Sequence, residues 1–237
     1  MLCANIFYYL CRQNQPREMK IGIIVAMDKE FAQLKKVFGN DSNIVLQKCG
    51  IGKVNAAIGA TMMIEKHHPD VIISSGCAGG ADPSLNVGDV VVAMETTYHD
   101  AYCGDNCAYG QIMGMPKRYI LSDKLIAIVQ QFGSDCHAIT MGLMVSGDWF
   151  VDSREKMREI MQHFPEAKAV DMESCSIAQV CYTFGVPFVS FRIISDVPLK
   201  DHKAEMYFDF WERLADGSFE VTHRFVERLQ QVGNVLK

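Results

Sequence analysis

Short apolar runs alternate with longer amphipathic stretches along most of this chain. Continuous apolar runs are typical of buried strands, whereas apolar positions three or four residues apart predict helices. We predict strands over residues 20–27, 43–50, 70–76, 89–99, 138–145, 167–171 and 187–195. We predict helices over residues 28–38, 53–68, 122–132, 153–163, 173–184 and 205–235. Strands that alternate with helices imply a largely parallel sheet covered by helices, which is an α/β fold.

Two regions interrupt this regular pattern, and one segment precedes it. Glycines after residue 76 predict a glycine-rich turn between two strands, and the mixed composition of residues 100–120 predicts no element. Residues 19–237 contain no linker or internal repeat, so we predict a single domain there. Residues 1–18 are predicted to be an N-terminal extension whose role stays open, because their apolar stretch is too short to span a bilayer and lacks signal-peptide features.

Composition narrows the class of protein. The 237-residue chain is 49% hydrophobic and 22% charged, with a formal net charge of −5. No basic run is longer than Lys35-Lys36, which argues against a nucleic-acid partner. The nine cysteines have no paired spacing, which favours free thiols and a reducing, cytoplasmic location. We expect a protein that acts on a small molecule.

No motif predicts a cofactor or a metal. The stretch CGIGKVN, at residues 49–55, has the glycines of a tight turn but matches neither a dinucleotide nor a P-loop fingerprint. Cys103 and Cys107 lie near His99, yet their spacing matches no zinc pattern.

Acidic residues follow three of the predicted strands. Glu30 comes shortly after the first strand, Glu173 follows AKAVDM, and Asp196 ends FRIISD. Each has an ordinary structural explanation as a helix-start acid or a cap. Ligands of open α/β sheets, however, bind beyond the carboxyl ends of strands. Three carboxyls delivered to one edge of the sheet therefore predict a site for acid–base chemistry.

Five ordered motifs carry a resemblance to a known family. They are MKIGIIVAMDKEF (19–31), CGIGKVNAA (49–57), SGCAGG (75–80), AVDMES (169–174) and ISDVP (194–198). In order and spacing the chain from Met19 to the last helix resembles the 5′-methylthioadenosine/S-adenosylhomocysteine nucleosidases, within the purine nucleoside phosphorylase-like superfamily. The resemblance implies a three-layer αβα fold with a twisted, mixed central sheet of barrel character, and a homodimer. It implies hydrolysis, without a cofactor, of the N-glycosidic bond of 5′-thio-substituted adenosines (5′-methylthioadenosine and S-adenosylhomocysteine) and of 5′-deoxyadenosine.

The resemblance also assigns catalytic roles to the acidic residues. Asp196 would protonate or hydrogen-bond N7 of adenine, with Ser195 orienting its carboxyl. Glu30, helped by Arg192, would position and deprotonate the attacking water. Glu173 would hold the ribose hydroxyls. These roles suit N-glycoside cleavage, in which the sugar gains positive charge while the leaving group needs a proton.

Further residues would form the walls of the substrate pocket. Phe150 would stack on adenine, the backbone of Val151 would read its edge, and Met172 would pack under the sugar. Met27 and Ile51, with an aromatic side chain at 207 or 208, would accept the 5′-thio substituent. The full set of predicted substrate-binding residues is Met27, Ile51, Cys77, Ala78, Gly79, Phe150, Val151, Met172, Tyr207 and Phe208.

Two features depart from the family pattern. Cys77 stands where the family often carries Ser or Val, near the predicted water. The loop 101–116 differs from better-known members, and in the family this loop reaches the pocket of the neighbouring subunit. Tyr109 and Met113 are therefore candidates for a wall contributed by one subunit to the other, and the preferred 5′ group stays open.

Other activities remain as alternatives. A phosphorolytic relative needs cationic phosphate ligands, and Arg192 is the only motif-linked arginine. Hydrolases of futalosine or AMP are further alternatives, although a Met and Ile wall argues against a 5′-phosphate. A binding or storage relative without catalysis is disfavoured by the retention of all three acidic residues.

Overall fold

The computed structural model describes residues 18–134, 139–200, 210 and 219–232. Within these residues the chain forms eight strands and six helices, which alternate except where three strands follow one another over residues 71–120. The strands are β1 (Ile21–Val25), β2 (Ile44–Lys48), β3 (Val71–Gly80), β4 (Val90–Tyr98), β5 (Tyr119–Ile120), β6 (Ile139–Ser146), β7 (Ala167–Asp171) and β8 (Phe188–Asp196). The helices are α1 (Asp28–Phe38), α2 (Lys53–His67), α3 (Asp123–Ser134), α4 (Arg154–His163), α5 (Ser174–Phe184) and α6 (Glu220–Val232).

Five strands close into a barrel. The ring runs β3, β7, β6, β4 and β8, and it closes because β8 pairs with both β3 and β4. Strands β1, β2, β3 and β8 run parallel to one another, and so do β4, β6 and β7. The two groups meet antiparallel where β3 pairs with β7 and β4 with β8. The predicted fold, with a mixed sheet of barrel character flanked by helices, is confirmed; the sheet is parallel only within each group.

Strand β3 is longer than predicted. The sequence indicated a turn after residue 76, but the strand continues to Gly80. Gly79 and Gly80 pair antiparallel with β7, and a Cβ on Gly80 would lie 3.2 Å from Val197 Cγ2. Glycine in a strand often marks a bend or a close backbone approach. These glycines therefore let β3 close the barrel rather than end the strand.

The core lies between the barrel and its helices. Phe191 of β8 packs on Phe225 of α6, with ring centroids 4.6 Å apart. Phe225 and Leu229 are both fully buried, which confirms the helical spacing predicted for the last helix. Of that predicted helix, residues 205–235, the structure describes Phe210 and residues 219–232. Its remaining residues, Tyr207 and Phe208 among them, lie outside the described part of the chain.

Smaller differences concern the less regular segments. Strand β5 lies within residues 100–120, where no element was predicted, and it has two residues. The predicted extension, residues 1–18, lies outside the described residues except for Glu18. Among the helices described, none has the length and apolar character that crossing a membrane requires.

Candidate active site

A cavity of about 500 Å³ opens beside the second half of β3. The loop after β1, the turn before α2, the loop after β6 and the ends of β7 and β8 all contribute to its walls. It is lined by Ala26, Met27, Glu30, Ile51, Cys77, Ala78, Gly79, Trp149, Phe150, Val151, Val170, Asp171, Met172, Glu173, Ser195 and Asp196. The structure therefore brings the three predicted acidic residues together around one cavity.

The carboxyls do not meet at one edge of a parallel sheet, as the sequence pattern indicated. Strand β7 is antiparallel to β3, with Val170 paired to Gly79. Asp196 of β8 also pairs with Gly79, although β8 runs parallel to β3. Glu173 and Asp196 thus approach the same stretch of β3 from opposite directions. Barrel closure, rather than a common sheet edge, brings them together.

Glu30 is held in a fixed position by backbone donors. Its Oε2 accepts hydrogen bonds from the N–H groups of Ala26 at 3.0 Å and Met27 at 2.9 Å, and its Oε1 accepts from Cys77 N–H at 3.1 Å. Burial raises the pKa of Glu30, while these N–H groups and the charge of Arg192 oppose the rise. A buried, firmly held carboxyl with a raised pKa is well suited to act as a general base.

Gly76 leaves the space that the Glu30 carboxylate occupies. A Cβ at this position would lie 2.8 Å from Glu30 Oε1 and 3.3 Å from its Cδ. Gly76 pairs with Arg192 in the sheet, so the base and the arginine lie beside the same stretch of β3. The sequence predicted Gly76 only as the last residue of a strand and as a member of the SGCAGG motif, because a steric requirement set by a distant residue leaves no local pattern.

Glu173 lies at the start of α5 and faces the turn before α2. Its Oε1 accepts a hydrogen bond from the backbone N–H of Gly52 at 2.9 Å. Gly52 has φ +93°, a conformation that favours glycine. Burial and the nearby charge of Asp171 raise the pKa of Glu173 to about 7, against the lowering effects of Arg192 and the Gly52 N–H.

Arg192 lies beneath the cavity rather than on its wall. Its guanidinium forms an ion pair with Asp171, with Nη2 2.7 Å and Nε 2.8 Å from Oδ2, and its Nη2 also donates to Ser74 Oγ at 2.9 Å. Both ionic side chains are almost fully buried, and Arg192 stays charged because Asp171 and the two glutamates surround it. Arg192 therefore acts on Glu30 and Glu173 through its charge, while its hydrogen bonds go to other groups.

Asp171 was missed by the sequence analysis. It ends β7 in the run AVD, which looks like the end of an ordinary core strand. Its carboxylate also accepts a hydrogen bond from the backbone N–H of Ser174 at 3.1 Å and contacts the Ser174 hydroxyl. Pairing with the arginine of β8 was the missing information, and it depends on tertiary contact.

Asp196 and Ser195 form the far wall of the cavity. The Ser195 hydroxyl lies 2.8 Å from Asp196 Oδ1 and 3.3 Å from the carbonyl oxygen of Ala78. It donates to the carboxylate oxygen at the shorter distance. Both residues are buried on the strand that also carries Arg192. The hydrogen bond fixes the orientation of the carboxyl toward the cavity.

Apolar side chains complete the walls of the cavity. Phe150 and Ile51 are 58% and 51% exposed at the mouth, whereas Val151 is buried. Trp149, which the sequence analysis did not single out, lines the same mouth beneath Lys156, whose Nζ is 4.5 Å from the ring centroid. An aromatic residue beside a predicted stacking residue gave no separate signal in the sequence.

The Cys77 thiol belongs to the cavity wall. Burial, followed by the charge of Glu30, raises its pKa well above the ordinary value. The thiol is therefore protonated at neutral pH. The six cysteines of the described chain are all free.

The predicted residues of loop 101–116 lie away from this cavity. Tyr109 stacks on His163 with ring centroids 3.7 Å apart, and it packs against Phe164. Met113 is 66% exposed. Neither lines the cavity of its own chain. Among the described residues, no group of three or more His, Cys, Asp or Glu side chains is arranged to hold a metal ion.

Comparison with known proteins places this geometry in context. The model of the phosphorylase superfamily matches residues 30–230. A 5′-methylthioadenosine/S-adenosylhomocysteine nucleosidase from Staphylococcus aureus is 42% identical over 229 residues, covering 88% of this chain and 100% of the relative. The crystal structure of the corresponding nucleosidase from Neisseria meningitidis, in complex with methylthio-immucillin-A, has a TM-score of 0.81 and 33% identity, covering 89% of this chain and 99% of that one. Futalosine hydrolase of Helicobacter pylori is also similar, with a TM-score of 0.81 and 29% identity, covering 89% and 98%.

Proposed function

The chain belongs to the 5′-methylthioadenosine/S-adenosylhomocysteine nucleosidase family of the phosphorylase superfamily, and from this premise we propose how its cavity hydrolyses the N-glycosidic bond of 5′-thio-substituted adenosines. One observation carries the proposal: Glu30, Glu173 and Asp196 line a single cavity whose other walls are largely apolar. Such a cavity can hold a nucleoside while carboxyl groups reach both sides of the bond to be broken.

Asp196 assists the departure of adenine. Its protonated carboxyl donates to N7 of the base, so that adenine leaves as a neutral molecule rather than an anion. The Ser195 hydroxyl, 2.8 Å from Oδ1, keeps the carboxyl turned toward the base. Phe150 stacks on the adenine ring at the mouth of the cavity, and the Val151 backbone bonds its edge.

Glu30 activates the water that attacks the sugar. Three N–H donors fix its carboxylate, and the raised pKa increases its basicity toward a water proton. As the bond to adenine lengthens, positive charge develops on the ribose. The carboxylates of Glu30 and Glu173 stabilise that charge, while Glu173 accepts hydrogen bonds from the ribose hydroxyls and Met172 packs beneath the ring.

The 5′ substituent contacts an apolar part of the cavity. Met27 and Ile51 lie there, and thioethers pack favourably against such side chains. No Lys or Arg is among the described residues that line the cavity, and Arg192 is already paired with Asp171 beneath it, so within this part of the chain a phosphate group would lose its hydration without gaining a cationic partner. This arrangement supports thioether nucleosides over nucleotides such as AMP.

A substrate panel tests the proposal. Purified protein is incubated with 5′-methylthioadenosine, S-adenosylhomocysteine, 5′-deoxyadenosine, futalosine, inosine and AMP, each with and without phosphate. We expect free adenine and the thioribose from the first two substrates at rates that do not depend on phosphate. Futalosine tests the alternative represented by the Helicobacter pylori neighbour. A ribose 1-phosphate product, or a preference for futalosine, would contradict the proposal.

A homodimer is part of the same proposal. One face of α2 exposes Val54, Ile58 and Met62, which are 69%, 54% and 41% accessible and four residues apart. Exposed apolar stripes of this kind mark protein interfaces. The stripe continues from Ile51 at the cavity mouth, and the family resemblance implies that the 101–116 loop of a second copy reaches this cavity.

We also propose a cytoplasmic location. The support is the set of free thiols among the described cysteines, because thiols persist in reducing compartments.

A further inference from the structure

Asp148 joins two parts of the cavity that are distant in sequence. It lies just after β6, at the start of the loop that carries Phe150 and Val151. Its Oδ1 accepts a hydrogen bond at 2.7 Å from the backbone N–H of Lys53, the first residue of α2. The first N–H groups of a helix lack partners within the helix, and an acidic side chain satisfies them well. Asp148 thus caps α2 from 95 positions away in the chain.

Asp100, which follows β4, holds the other side of this contact. Its Oδ2 accepts hydrogen bonds from the backbone N–H of Asp148 at 2.8 Å and from Lys53 Nζ at 2.7 Å. Ion pairs at such partly exposed positions contribute little by themselves. The two backbone N–H contacts are directional, however, and they fix the loop after β6 against the start of α2.

Gly52 lies between two carboxylates. A Cβ at this position would lie 2.9 Å from Asp148 Oδ1, so the Asp148 side chain packs directly against the glycine. On its other side, the Gly52 N–H donates to Glu173 Oε1 at 2.9 Å. Any movement of the first turn of α2 therefore changes the hydrogen bond that the ribose-binding carboxylate receives.

We propose that Asp148 is a positioning residue for the reaction. By capping α2 it holds the Gly52 N–H in its hydrogen bond to Glu173, and the same contact with Lys53 N–H fixes the loop that binds adenine. The inference rests on the proposed function, because it assigns Glu173 to the ribose. Asp148 acts through Gly52 and the loop, so it needs no contact with the substrate itself.

This coupling has a consequence for the pH dependence of the reaction. The pKa of Glu173 is about 7, and the Gly52 N–H is one of the groups that lower it. The charged and titratable groups facing Glu173 are Asp171, Arg192, Glu30 and Cys49. The negative charge that Asp148→Ala removes is also removed in Asp148→Asn, so a comparison of these two variants isolates the effect of the Gly52 hydrogen bond on Glu173. Loss of the Gly52 hydrogen bond therefore raises the pKa of Glu173, and the ionised form is reached only at higher pH.

The test compares Asp148→Ala with Asp148→Asn. Asparagine also accepts a hydrogen bond at a helix N-terminus, whereas alanine does not. Asp152→Ala is the matched control, because Asp152 is an exposed aspartate of the same loop. For each variant kcat/KM for 5′-methylthioadenosine is measured across the pH range, together with the melting temperature.

For Asp148→Ala we expect a loss of about tenfold in kcat/KM at pH 7, since a hydrogen bond to a charged group is weakened. The acidic limb of its kcat/KM–pH profile shifts to higher pH by about half a unit, because one of the several groups that set the pKa of Glu173 is lost. Asp148→Asn stays within about threefold of wild type, since the cap is retained. Asp152→Ala stays unchanged.

Two results would overturn the inference, provided that wild-type protein releases adenine. One is an unchanged kcat/KM in Asp148→Ala. The other is a loss of kcat/KM that is equal at every pH and parallels a loss of melting temperature. If Asp148→Ala does not fold, Asp148→Glu displaces the carboxylate by one methylene and should move the limb in the same direction. An unmoved limb there overturns the inference. Failure of the proposed function is a different result, because wild-type protein would then release no adenine.

Discussion

Replacement of Gly76 by alanine gives a sharp test of the position of Glu30. The added Cβ would lie 2.8 Å from Oε1, 3.3 Å from Cδ and 3.5 Å from Oε2 of Glu30. Ordinary carbon–oxygen contacts begin at about 3.3 Å, so the carboxylate has to move by about 0.5 Å. The movement away from β3 stretches the hydrogen bond from Cys77 N–H, which already measures 3.1 Å.

The size of the effect follows from these distances. Misplacement of a reacting group by about 1 Å can cost about 10²-fold in rate, so a shift of half that size costs about tenfold. Partial loss of a hydrogen bond to a charged carboxylate, with about 1.5–3 kcal/mol at stake, increases the loss. We expect kcat of Gly76→Ala to fall between about 10-fold and 10²-fold, with KM within about twofold of wild type, because the base acts in the transition state.

The control must separate this effect from simple overpacking, which destabilises by about 1–3 kcal/mol. Gly22→Ala in β1 is matched, since its Cβ would lie 3.0 Å from the flexible Met63 side chain, far from the cavity. It should lower the melting temperature but leave kcat unchanged. In the double variant with Glu30→Gln, Gly76→Ala should cause no further loss, because both changes act on one group. Wild-type kcat in a folded Gly76→Ala protein, or additive losses in the double variant, would refute the reasoning.

Further predictions concern other parts of the molecule. Asp196→Asn should keep the melting temperature and lose about 10²–10⁴-fold in kcat, since an amide cannot supply the proton; near-normal turnover would remove Asp196 from the mechanism. His99 is buried with neither ring nitrogen bonded within the described residues, and burial lowers its pKa. As the pH falls, His99 takes up a proton at a higher pH in the unfolded chain than in the folded chain. The free energy of unfolding should therefore decrease below about pH 6.5, and His99→Leu should reduce this pH dependence of the melting temperature. Ile58→Glu on the α2 stripe should give a monomer in size-exclusion chromatography and reduced activity in turnover assays. A dimer with wild-type activity would show that the stripe is not an interface. Deletion of residues 1–18 should leave activity nearly intact, and loss of folded protein would show that these residues belong to the domain.

The sequence predicts local elements well where one pattern determines them. Helix α1 and strand β7 have the predicted bounds, since apolar periodicity and a helix-start acid mark the helix and a short apolar run marks the strand. Strand β3 was predicted too short because glycine breaks strands in most contexts. Here Gly79 and Gly80 are needed where two groups of strands meet antiparallel, and a barrel closure of this kind is invisible to a local pattern.

Prediction of the site was limited in the same way. Acidic residues near strand ends pointed to the cavity, and the family resemblance supplied their roles. Asp171, Gly76 and Asp148 were not found, because their importance depends on partners more than 20 residues away. A residue that makes room for, caps or neutralises a side chain distant in sequence leaves no pattern of spacing by which the sequence could predict it.

A single buried arginine acts on three buried acids around the cavity, Asp171 through an ion pair and Glu30 and Glu173 through its charge. Arg192 forms its ion pair with Asp171, while Glu30, Glu173 and Asp196 line the cavity. Direct pairing with Glu30 or Glu173 would lower that residue's pKa and commit its oxygens to the guanidinium. Arg192 instead acts at a distance, and it only partly offsets the effect of burial on both glutamates. Burial therefore leaves the ionised forms of these two carboxyl groups less stable than they would be in water. The positive charge that develops on the ribose in the transition state stabilises them.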